Sequence, residues 1–330
     1  MKAIALTSFG IPEALEELEV PIPAITNTQV LIEMRVSSIN PADILLRSGA
    51  ILKSPMADKF PAQLPLVLGN EVAGIVKEVG EKVRHFKPGD RVMGMVPMGS
   101  YMDYVAVEED HLALIPESLS FEEAGAAPAV ALTAWQALFE HGRLQPGQRI
   151  LVQAGAGGVG HAAVQLAKQH GAYVIATARD YNHEFVKGLG ADEVFDYTKV
   201  DFATQITEPV DLVLDSAMDQ STFGSTFGTG LPGEIGKKNY SVIKDGGTYI
   251  SLVAFAINQY PKVRDIEAYY FQARPNRPDF ESVVRHMKEN KLSIYIDETY
   301  PFTAQGLLEA YRKSEEMPKR GKIVLSKNMV

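Results

Sequence analysis

The hydrophobic and polar residues in the first third of the chain follow the short-period pattern of β-strands. Apolar residues recur along 30–36 and 71–80, and the second run ends in a glycine turn. The Pro-Gly turn at 87–90 precedes a third run at 91–96, and a fourth covers 101–107. Short strands separated by such turns predict a compact β domain of the barrel or sandwich kind.

After Pro116 the pattern changes to strands that alternate with helices. Ser120 and Glu123 have the spacing of a capping box, and a long helix is expected over about 130–141, closed by Gly142. Further strands are expected at 149–153, 173–178, 193–197, 210–215 and 248–253, with helices at 159–170 and 182–189. This alternation predicts a parallel sheet covered by helices.

The stretch 220–238 interrupts the alternation with a cluster of Gly, Ser and Thr residues. We interpret it as a loop or insertion of unknown role. Beyond about Asp265, a helix is expected over 280–290 and a last strand at 322–325.

Composition and charge narrow the class of protein. The 330 residues are 46% hydrophobic and 22% charged, which suits a globular protein of two domains. The formal net charge of -9 disfavours a nucleic-acid partner. The start of the chain has no signal-peptide pattern, and the apolar stretch 124–139 is too short and interrupted to span a membrane. We therefore expect a cytoplasmic protein.

The chain contains no cysteine, which excludes disulfides, thiolate nucleophiles and zinc sites built with Cys ligands. Histidines occur at seven positions without a short ligand spacing such as H-x-x-x-H: 85, 111, 141, 161, 170, 183 and 286. No metal site is therefore expected.

Glycines 155, 157 and 160 form a G-x-G-x-x-G motif between an expected strand and an expected helix. Gly155 permits the tight turn, Gly157 lets the backbone approach a pyrophosphate, and Gly160 lets the helix pack closely on the strand. Gly158 and Val159 complete the loop at the positive end of that helix. The motif predicts a dinucleotide on a Rossmann domain, and the alternative is a tight turn without a ligand.

The residue that follows the next strand indicates which dinucleotide is bound. NAD sites usually place an acidic residue about 20 positions beyond the glycines. Here Arg179 lies 19 positions after Gly160. Because an arginine pairs with a 2′-phosphate and a carboxylate repels it, NADPH is favoured over NADH. The alternative is that Arg179 is a solvated surface charge and that Asp180 turns inward to the ribose.

Six segments along the chain match one family in their order and spacing. They are 38–43 with 47–49, 68–74, 86–92, 131–138, 154–160 and 321–325. Together they resemble the zinc-independent quinone oxidoreductase branch of the medium-chain dehydrogenase/reductase superfamily, and Asn70 stands where zinc alcohol dehydrogenases have a His. The resemblance implies an α/β protein in which a GroES-like β-rich catalytic domain (1–124 plus 266–330) carries an inserted Rossmann domain with a doubly wound parallel sheet (125–265).

The same resemblance implies the positions of further cofactor-binding residues. Asn40 and Thr133 should face the ribose and ring of the nicotinamide, Tyr197 should lie near the adenosine phosphate or ribose, and Lys322 near the cofactor. We add Val253 to this set. Alternatively Asn40 is a turn residue, Tyr197 a half-buried strand aromatic and Lys322 a surface lysine. The resemblance also implies a homodimer.

The absence of zinc ligands restricts the chemistry that we expect. Without a Lewis acid, hydride transfer is easier to an electron-poor acceptor that spreads the arriving charge onto oxygen, such as a quinone or an α,β-unsaturated carbonyl. Asn40, Asp43 and Asn70 are the candidate catalytic side chains. Relatives often carry a tyrosine after the Arg-Ser-Gly segment, whereas this chain has 50–53, Ala-Ile-Leu-Lys.

Three hypotheses follow for the function. The first is an NADPH-dependent quinone oxidoreductase, and the second is an enone or alkenal double-bond reductase with the same chemistry on another acceptor. The third, less favoured, is a non-catalytic NADPH-binding sensor or structural protein.

Overall fold

The computed structural model describes residues 1–54, 57–59, 63–217, 230–316 and 320–329. The chain divides into two compact units: unit 1 is 1–132 with 274–330, and unit 2 is 133–273. Both divisions lie eight residues beyond the expected ones after 124 and 265. The second division differs because the strand Glu267–Tyr270 joins the sheet of unit 2.

The strands, in chain order, are β1 (Lys2–Leu6), β2 (Leu15–Glu19), β3 (Gln29–Ser38), β4 (Leu66–Val67), β5 (Glu71–Val79), β6 (Arg91–Met95), β7 (Tyr104–Glu108), β8 (Leu112–Leu114), β9 (Arg149–Val152), β10 (Tyr173–Thr177), β11 (Glu193–Phe195), β12 (Val210–Asp215), β13 (Ile243–Ser251), β14 (Glu267–Tyr270), β15 (Ile296–Pro301) and β16 (Lys322–Ser326). The α-helices are α1 (Pro41–Arg47), α2 (Phe121–Ala126), α3 (Pro128–Trp135), α4 (Gly158–Gln169), α5 (His183–Gly188), α6 (Phe202–Gln205), α7 (Glu234–Val242), α8 (Arg277–Lys288) and α9 (Ala304–Glu315).

Unit 1 is built on two sheets. The smaller has the order β2-β1-β4, and the larger has the order β15-β16-β3-β5-β6-β8 with β7 paired to β3. Along β3, Val30, Ile32, Met34 and Val36 are fully buried, as the alternation in this run predicts. The apolar side of β3 therefore forms the core of the expected β-rich domain, and its last residues lead directly into α1.

Unit 2 is a six-stranded parallel sheet with the order β11-β10-β9-β12-β13-β14. Numbered within the unit this order is 3-2-1-4-5-6, which is that of a Rossmann fold. β9, β10 and β12 consist almost wholly of buried residues, as expected for strands covered on both faces. The expected doubly wound sheet is confirmed, and the order places β9 and its following loop at the centre.

Two local expectations were only partly correct. The stretch expected as a loop to residue 238 contains the start of α7, in which Asn239 and Tyr240 are buried. Residues 220–229 of that stretch lie outside the described residues. The long helix expected over 130–141 begins at Pro128 and continues after Trp135 as a π-helical segment, Gln136–His141. In the described part of the chain no helix has the length and apolar character needed to cross a bilayer.

Candidate active site

The glycine loop of unit 2 is a turn that leaves no room for a side chain at Gly155 or Gly160. Gly157 caps α4 in an extended conformation, with φ −76° and ψ −179°. A Cβ on Gly160 would lie 2.1 Å from the carbonyl oxygen of Ala154, and a Cβ on Gly155 would lie 2.9 Å from Cβ of Ala176. Because residues 157, 158 and 160 have no side chains, the backbone N–H groups of the first turn of α4 stay open to an anion. The loop therefore fits the pyrophosphate of a dinucleotide.

A chain of buried polar side chains lies beneath this loop. Thr177 donates to Gln153 Oε1 at 2.5 Å, and Gln153 Nε2 donates to Asn239 Oδ1 at 2.6 Å. Asn239 Nδ2 then donates to the Tyr249 hydroxyl at 3.1 Å, which donates to Asp215 Oδ2 at 2.6 Å. Burial, with the Asp215 carboxylate adding to it, holds the pKa of Tyr249 well above its usual value.

This network holds the loop in place. The N–H of Ala154 bonds to Thr177 Oγ1 at 3.2 Å, and the N–H of Gly155 bonds to the Thr177 carbonyl at 2.8 Å. The network was not predicted from the sequence because its five members come from separate places: β10, β12, β13, α7 and the residue after β9. A visible signal was that polar residues, Gln153 and Asp215, end two apolar strands.

Arg179 and Tyr197 lie together at the carboxyl end of β10. Arg179 is exposed, and its Nε donates to the Tyr197 hydroxyl at 3.3 Å. The carboxylate of Asp180 bonds instead to the ammonium of Lys199 and accepts the N–H of Tyr181 at 2.8 Å. The bond from Lys199 lowers the pKa of the Asp180 carboxyl. Arg179 is thus hydrogen-bonded to the phenol of Tyr197, while the carboxylate of Asp180 is paired with Lys199. Lys199 was not among the residues predicted from the sequence.

In unit 1 the central feature is a buried ion pair. Lys322 Nζ lies 2.9 Å from Glu71 Oε2, and the two side chains are 3% and 0% exposed. The ammonium also donates to Asn40 Oδ1 at 2.6 Å and to the carbonyl of Ile39 at 3.0 Å. The other oxygen of Glu71 accepts the N–H of Ala129 at 2.6 Å, and Ser38 donates to Oε2. Lys322 is therefore not a surface lysine, and every hydrogen of its ammonium has an acceptor.

Asn40 connects this ion pair to Asn70. Its Nδ2 donates to Glu71 Oε2 at 2.5 Å and to Asn70 Oδ1 at 2.8 Å. Asn40 is buried, whereas Asn70 is half-buried. The structure thus brings three predicted site residues, Asn40, Asn70 and Lys322, into one network. Glu71 is the fourth member of this network. It lies in one of the matched sequence segments, but its pairing with Lys322 was not predicted.

The third candidate catalytic residue, Asp43, is buried, and its carboxylate bonds mainly to backbone N–H groups. Its carboxylate accepts the N–H of Asn40 and the N–H of Gly69, both at 2.9 Å, and the Tyr101 hydroxyl at 3.0 Å. Full burial raises the pKa of Asp43 to about 6, while these hydrogen bonds and the charge of Lys322 act in the opposite direction. Asp43 therefore ties the start of α1 to the Gly69-Asn70 turn.

The remaining predicted residues, Thr133 and Val253, belong to unit 2. Thr133 is half-buried in α3, and Val253 is buried shortly after β13. The structure gives neither of them a place in the two polar networks.

The donor chemistry around Asn70 does not suit zinc. A neutral amide oxygen is a poor zinc ligand beside imidazole and thiolate, and this one already accepts a hydrogen bond. The neighbouring carboxylate of Glu71 is neutralised by Lys322. No group of three or more His, Asp or Glu side chains suited to a metal occurs among the described residues. The residues around Asn70 therefore do not fit a zinc ion.

A GroES-like unit joined to a Rossmann unit with a glycine loop is the architecture of a class of dehydrogenases. Comparisons with known proteins agree: the family described as "Alcohol dehydrogenase GroES-like domain" matches residues 26–117, and "Zinc-binding dehydrogenase" matches 189–325. A 2-methylene-furan-3-one reductase of Solanum lycopersicum is 33% identical over 98% of this chain and 79% of its own length.

Two further comparisons point to the same branch. A chloroplastic quinone-oxidoreductase homolog of Spinacia oleracea is 33% identical, with 92% of each chain covered. The solved structure of the quinone oxidoreductase from Coxiella burnetii superposes with a TM-score of 0.85, at 32% identity and 99% coverage of both chains. The chain belongs to the quinone oxidoreductase branch of the medium-chain dehydrogenase/reductase superfamily, and it is an oxidoreductase.

Proposed function

We propose that this protein reduces a quinone, or a similar electron-poor carbonyl compound, with NADPH and without zinc. The observation that carries the choice of cofactor is the pair Arg179–Tyr197 at the end of β10. An NAD site would present a free carboxylate there, but that of Asp180 is engaged by Lys199. A guanidinium and a phenol are suitable donors for a 2′-phosphate.

The residues of unit 2 would hold the cofactor at two places. The open N–H groups of Gly158, Val159 and Gly160 would bind the pyrophosphate, and Arg179 with Tyr197 would bind the adenosine phosphate. When bound, NADPH supplies a hydride. The buried network keeps the glycine loop fixed, so the loop has little order to gain when the pyrophosphate binds.

The network of unit 1 supports an electron-poor acceptor. It presents amide groups and a neutralised ion pair, and it has no ligand set for a strong Lewis acid. Hydrogen bonds from such groups stabilise an oxyanion whose charge is delocalised, whereas a localised alkoxide needs the stronger stabilisation that a Lewis acid supplies. A quinone or a conjugated carbonyl therefore matches this site better than a simple alcohol.

A second candidate function is the reduction of an activated carbon–carbon double bond. It is favoured by the tomato relative, which is named for an enone and is similar along nearly the whole chain. Comparing NADPH oxidation with benzoquinone and with methyl vinyl ketone distinguishes the two, since the physiological class should give the higher kcat/KM.

The cofactor assignment is tested by titrating NADPH and NADH into the protein and following energy transfer from Trp135 and the tyrosines to the nicotinamide. NADPH is expected to bind at least about tenfold more tightly, which corresponds to about 1.4 kcal/mol. Equal affinity or a preference for NADH would contradict the role of Arg179 and point to Asp180 as the ribose ligand.

We also propose that the protein is a cytoplasmic homodimer. β14 lies at one end of the sheet of unit 2, and such an edge strand offers backbone groups to a second copy. Light scattering on the purified protein would test the dimer: a monomer at micromolar concentration would contradict it. Fractionation of the source cells would test the location.

A further inference from the structure

We propose that the side-chain amide of Asn70 is a catalytic residue, which donates a hydrogen bond to the carbonyl oxygen of the acceptor as negative charge develops there. This inference rests on the proposed function. It follows from the order of donors and acceptors in the network of Lys322, Glu71, Asn40 and Asn70.

The orientation of Asn40 is set by two charged partners. The ammonium of Lys322 can only donate, so the atom that it contacts at 2.6 Å is the amide oxygen of Asn40. The carboxylate of Glu71 accepts, so the atom at 2.5 Å from it is the amide nitrogen. Exchanging the oxygen and nitrogen of Asn40 would place like groups against both partners. The orientation is therefore determined by chemistry.

The orientation of Asn70 follows from that of Asn40. The second hydrogen on Asn40 Nδ2 is directed at Asn70, at 2.8 Å, and the atom that receives it is Oδ1. Asn70 Nδ2 then carries two hydrogens, and in the part of the chain that the structure describes no hydrogen bond involves them. Since Asn70 is half-buried while Asn40, Glu71 and Lys322 are buried, this nitrogen is the donor that the network leaves available.

The chain of hydrogen bonds also sets the direction of this donor. Lys322 donates to Asn40, and Asn40 donates to Asn70, so the amide dipoles point the same way, from the positive charge outward. The carboxylate of Glu71, which accepts from the same nitrogen of Asn40, balances the charge of Lys322, so the series fixes the orientation of the Asn70 amide. Asn40, Glu71 and Lys322 are thus positioning residues, which act through Asn70.

The backbone holds Asn70 from both sides. Gly69 has φ +83°, and a Cβ there would lie 2.3 Å from Ser100 Oγ and 2.6 Å from the ring of Tyr101. The N–H of Gly69 is bound by Asp43 at 2.9 Å, and the carbonyl of Asn70 accepts the N–H of Val96 at 3.0 Å. A donor fixed in this way needs no reorganisation when the oxyanion forms, which is the condition for effective electrostatic stabilisation.

Reduction of a conjugated acceptor consumes one hydride and one proton. The acceptor carbon gains one hydride from NADPH, which becomes NADP⁺, and an electron pair of the conjugated system moves onto the carbonyl oxygen. Asn70 donates a hydrogen bond to that oxygen and keeps its own protons. Water supplies one proton. In a conjugated ketone it goes to the α-carbon and gives the saturated ketone. In a quinone it goes to one oxygen, and a proton then moves through water from the ring carbon that took the hydride to the other oxygen, which gives the hydroquinone.

The test compares Asn70→Asp with Asn27→Asp. Asn70→Asp keeps an oxygen to accept from Asn40 but replaces the donor with a negative oxygen, whereas Asn27 is an exposed turn residue whose substitution makes the same change in charge. We expect kcat with benzoquinone to fall by about 100-fold or more in Asn70→Asp, with the Kd of NADPH unchanged. Asn27→Asp should behave as the wild type.

A binding measurement gives a readout that does not depend on turnover. Para-nitrophenol, titrated in the presence of NADP⁺, is a stable planar analogue of the reduced quinone, and its anion absorbs differently from its neutral form. The wild type should bind the anion preferentially and lower the apparent pKa of the bound phenol. Asn70→Asp and Asn70→Ala should both lose this preference. Thermal midpoints of the two variants identify any loss of fold, and Asn70→Ala tests the donor without adding charge.

The outcomes separate this inference from the proposed function. If the wild type oxidises NADPH with neither benzoquinone nor methyl vinyl ketone, the proposed function fails. If the wild type is active and both folded Asn70 variants keep its kcat and its preference for the phenolate, the inference about Asn70 is overturned while the function stands.

Discussion

The two polar regions of this protein differ in how they are held. In the network of unit 1, Glu71, Lys322 and Asn40 are at most 7% exposed, and the hydrogens of the ammonium and of the Asn40 amide all have acceptors. At the end of β10, by contrast, Arg179 is exposed and the side chains of Lys199 and Asp180 are 61% and 55% exposed. Exposed pairs contribute about 0–1 kcal/mol to stability, whereas breaking a buried pair is costly. The first region is therefore part of the fold, and the second is free to select a ligand.

The largest effect on the free energy of unfolding is expected when the buried pair Lys322–Glu71 is broken. Lys322→Met leaves the carboxylate of Glu71 without its cation, and we expect the free energy of unfolding to fall by about 3–5 kcal/mol. Urea unfolding followed by circular dichroism would measure it. The matched control is Lys322→Met with Glu71→Gln, which removes both charges and should recover part of the loss. A single variant as stable as the double would contradict the coupling.

A smaller loss of stability is expected when a side chain is added in the glycine loop. Gly160→Ala places a methyl group 2.1 Å from the carbonyl oxygen of Ala154, a backbone atom that cannot turn away. It should cost about 1–3 kcal/mol of stability and weaken dinucleotide binding. Gly188→Ala, at the end of α5, meets nothing within 4 Å and should gain up to about 1 kcal/mol. Equal effects in the two variants would show that the loop is not tightly packed.

The raised pKa of Asp43 predicts a dependence of stability on pH. A group whose pKa is higher in the folded state stabilises the fold while it is protonated, and this contribution is lost as the pH rises from 3.8 through about 6. Relative to Asp43→Asn, the free energy of unfolding of the wild type should therefore fall over this range, by up to about 1.4 kcal/mol per pH unit. The exposed substitution Asp110→Asn should keep the wild-type slope. Parallel curves for wild type and Asp43→Asn would count against a buried, protonated Asp43.

The smallest effect on the fold is expected at Arg179. Arg179→Ala should reduce the preference for NADPH over NADH by about tenfold, or about 1.4 kcal/mol. Its free energy of unfolding should change by less than about 0.5 kcal/mol, because the side chain is exposed. Fluorescence titrations of both cofactors measure the first quantity. Arg285→Ala, another exposed arginine, is the control, and an unchanged preference in Arg179→Ala would exclude it as the phosphate ligand.

The structural features that depend on consecutive residues could be predicted from the sequence. The strand, glycine loop and helix at 149–170 are consecutive, so their pattern could be read directly, and the segments of the family were equally local. The pair Glu71–Lys322 was not predicted, because its members are 251 residues apart and one buried charge makes sense only with the other. The ion pair between Asp180 and Lys199 was not predicted either. Counting positions from Gly160 identifies Asp180 but not its partner.

We propose that the protein transfers hydride from NADPH to an electron-poor acceptor without a metal. The most direct measurement mixes chelator-treated protein with NADPH and benzoquinone and follows the absorbance of NADPH. We expect oxidation that requires both protein and quinone, that is slower with NADH, and that added zinc does not increase. No oxidation above the protein-free rate, or activity that appears only when zinc is restored, would contradict the account.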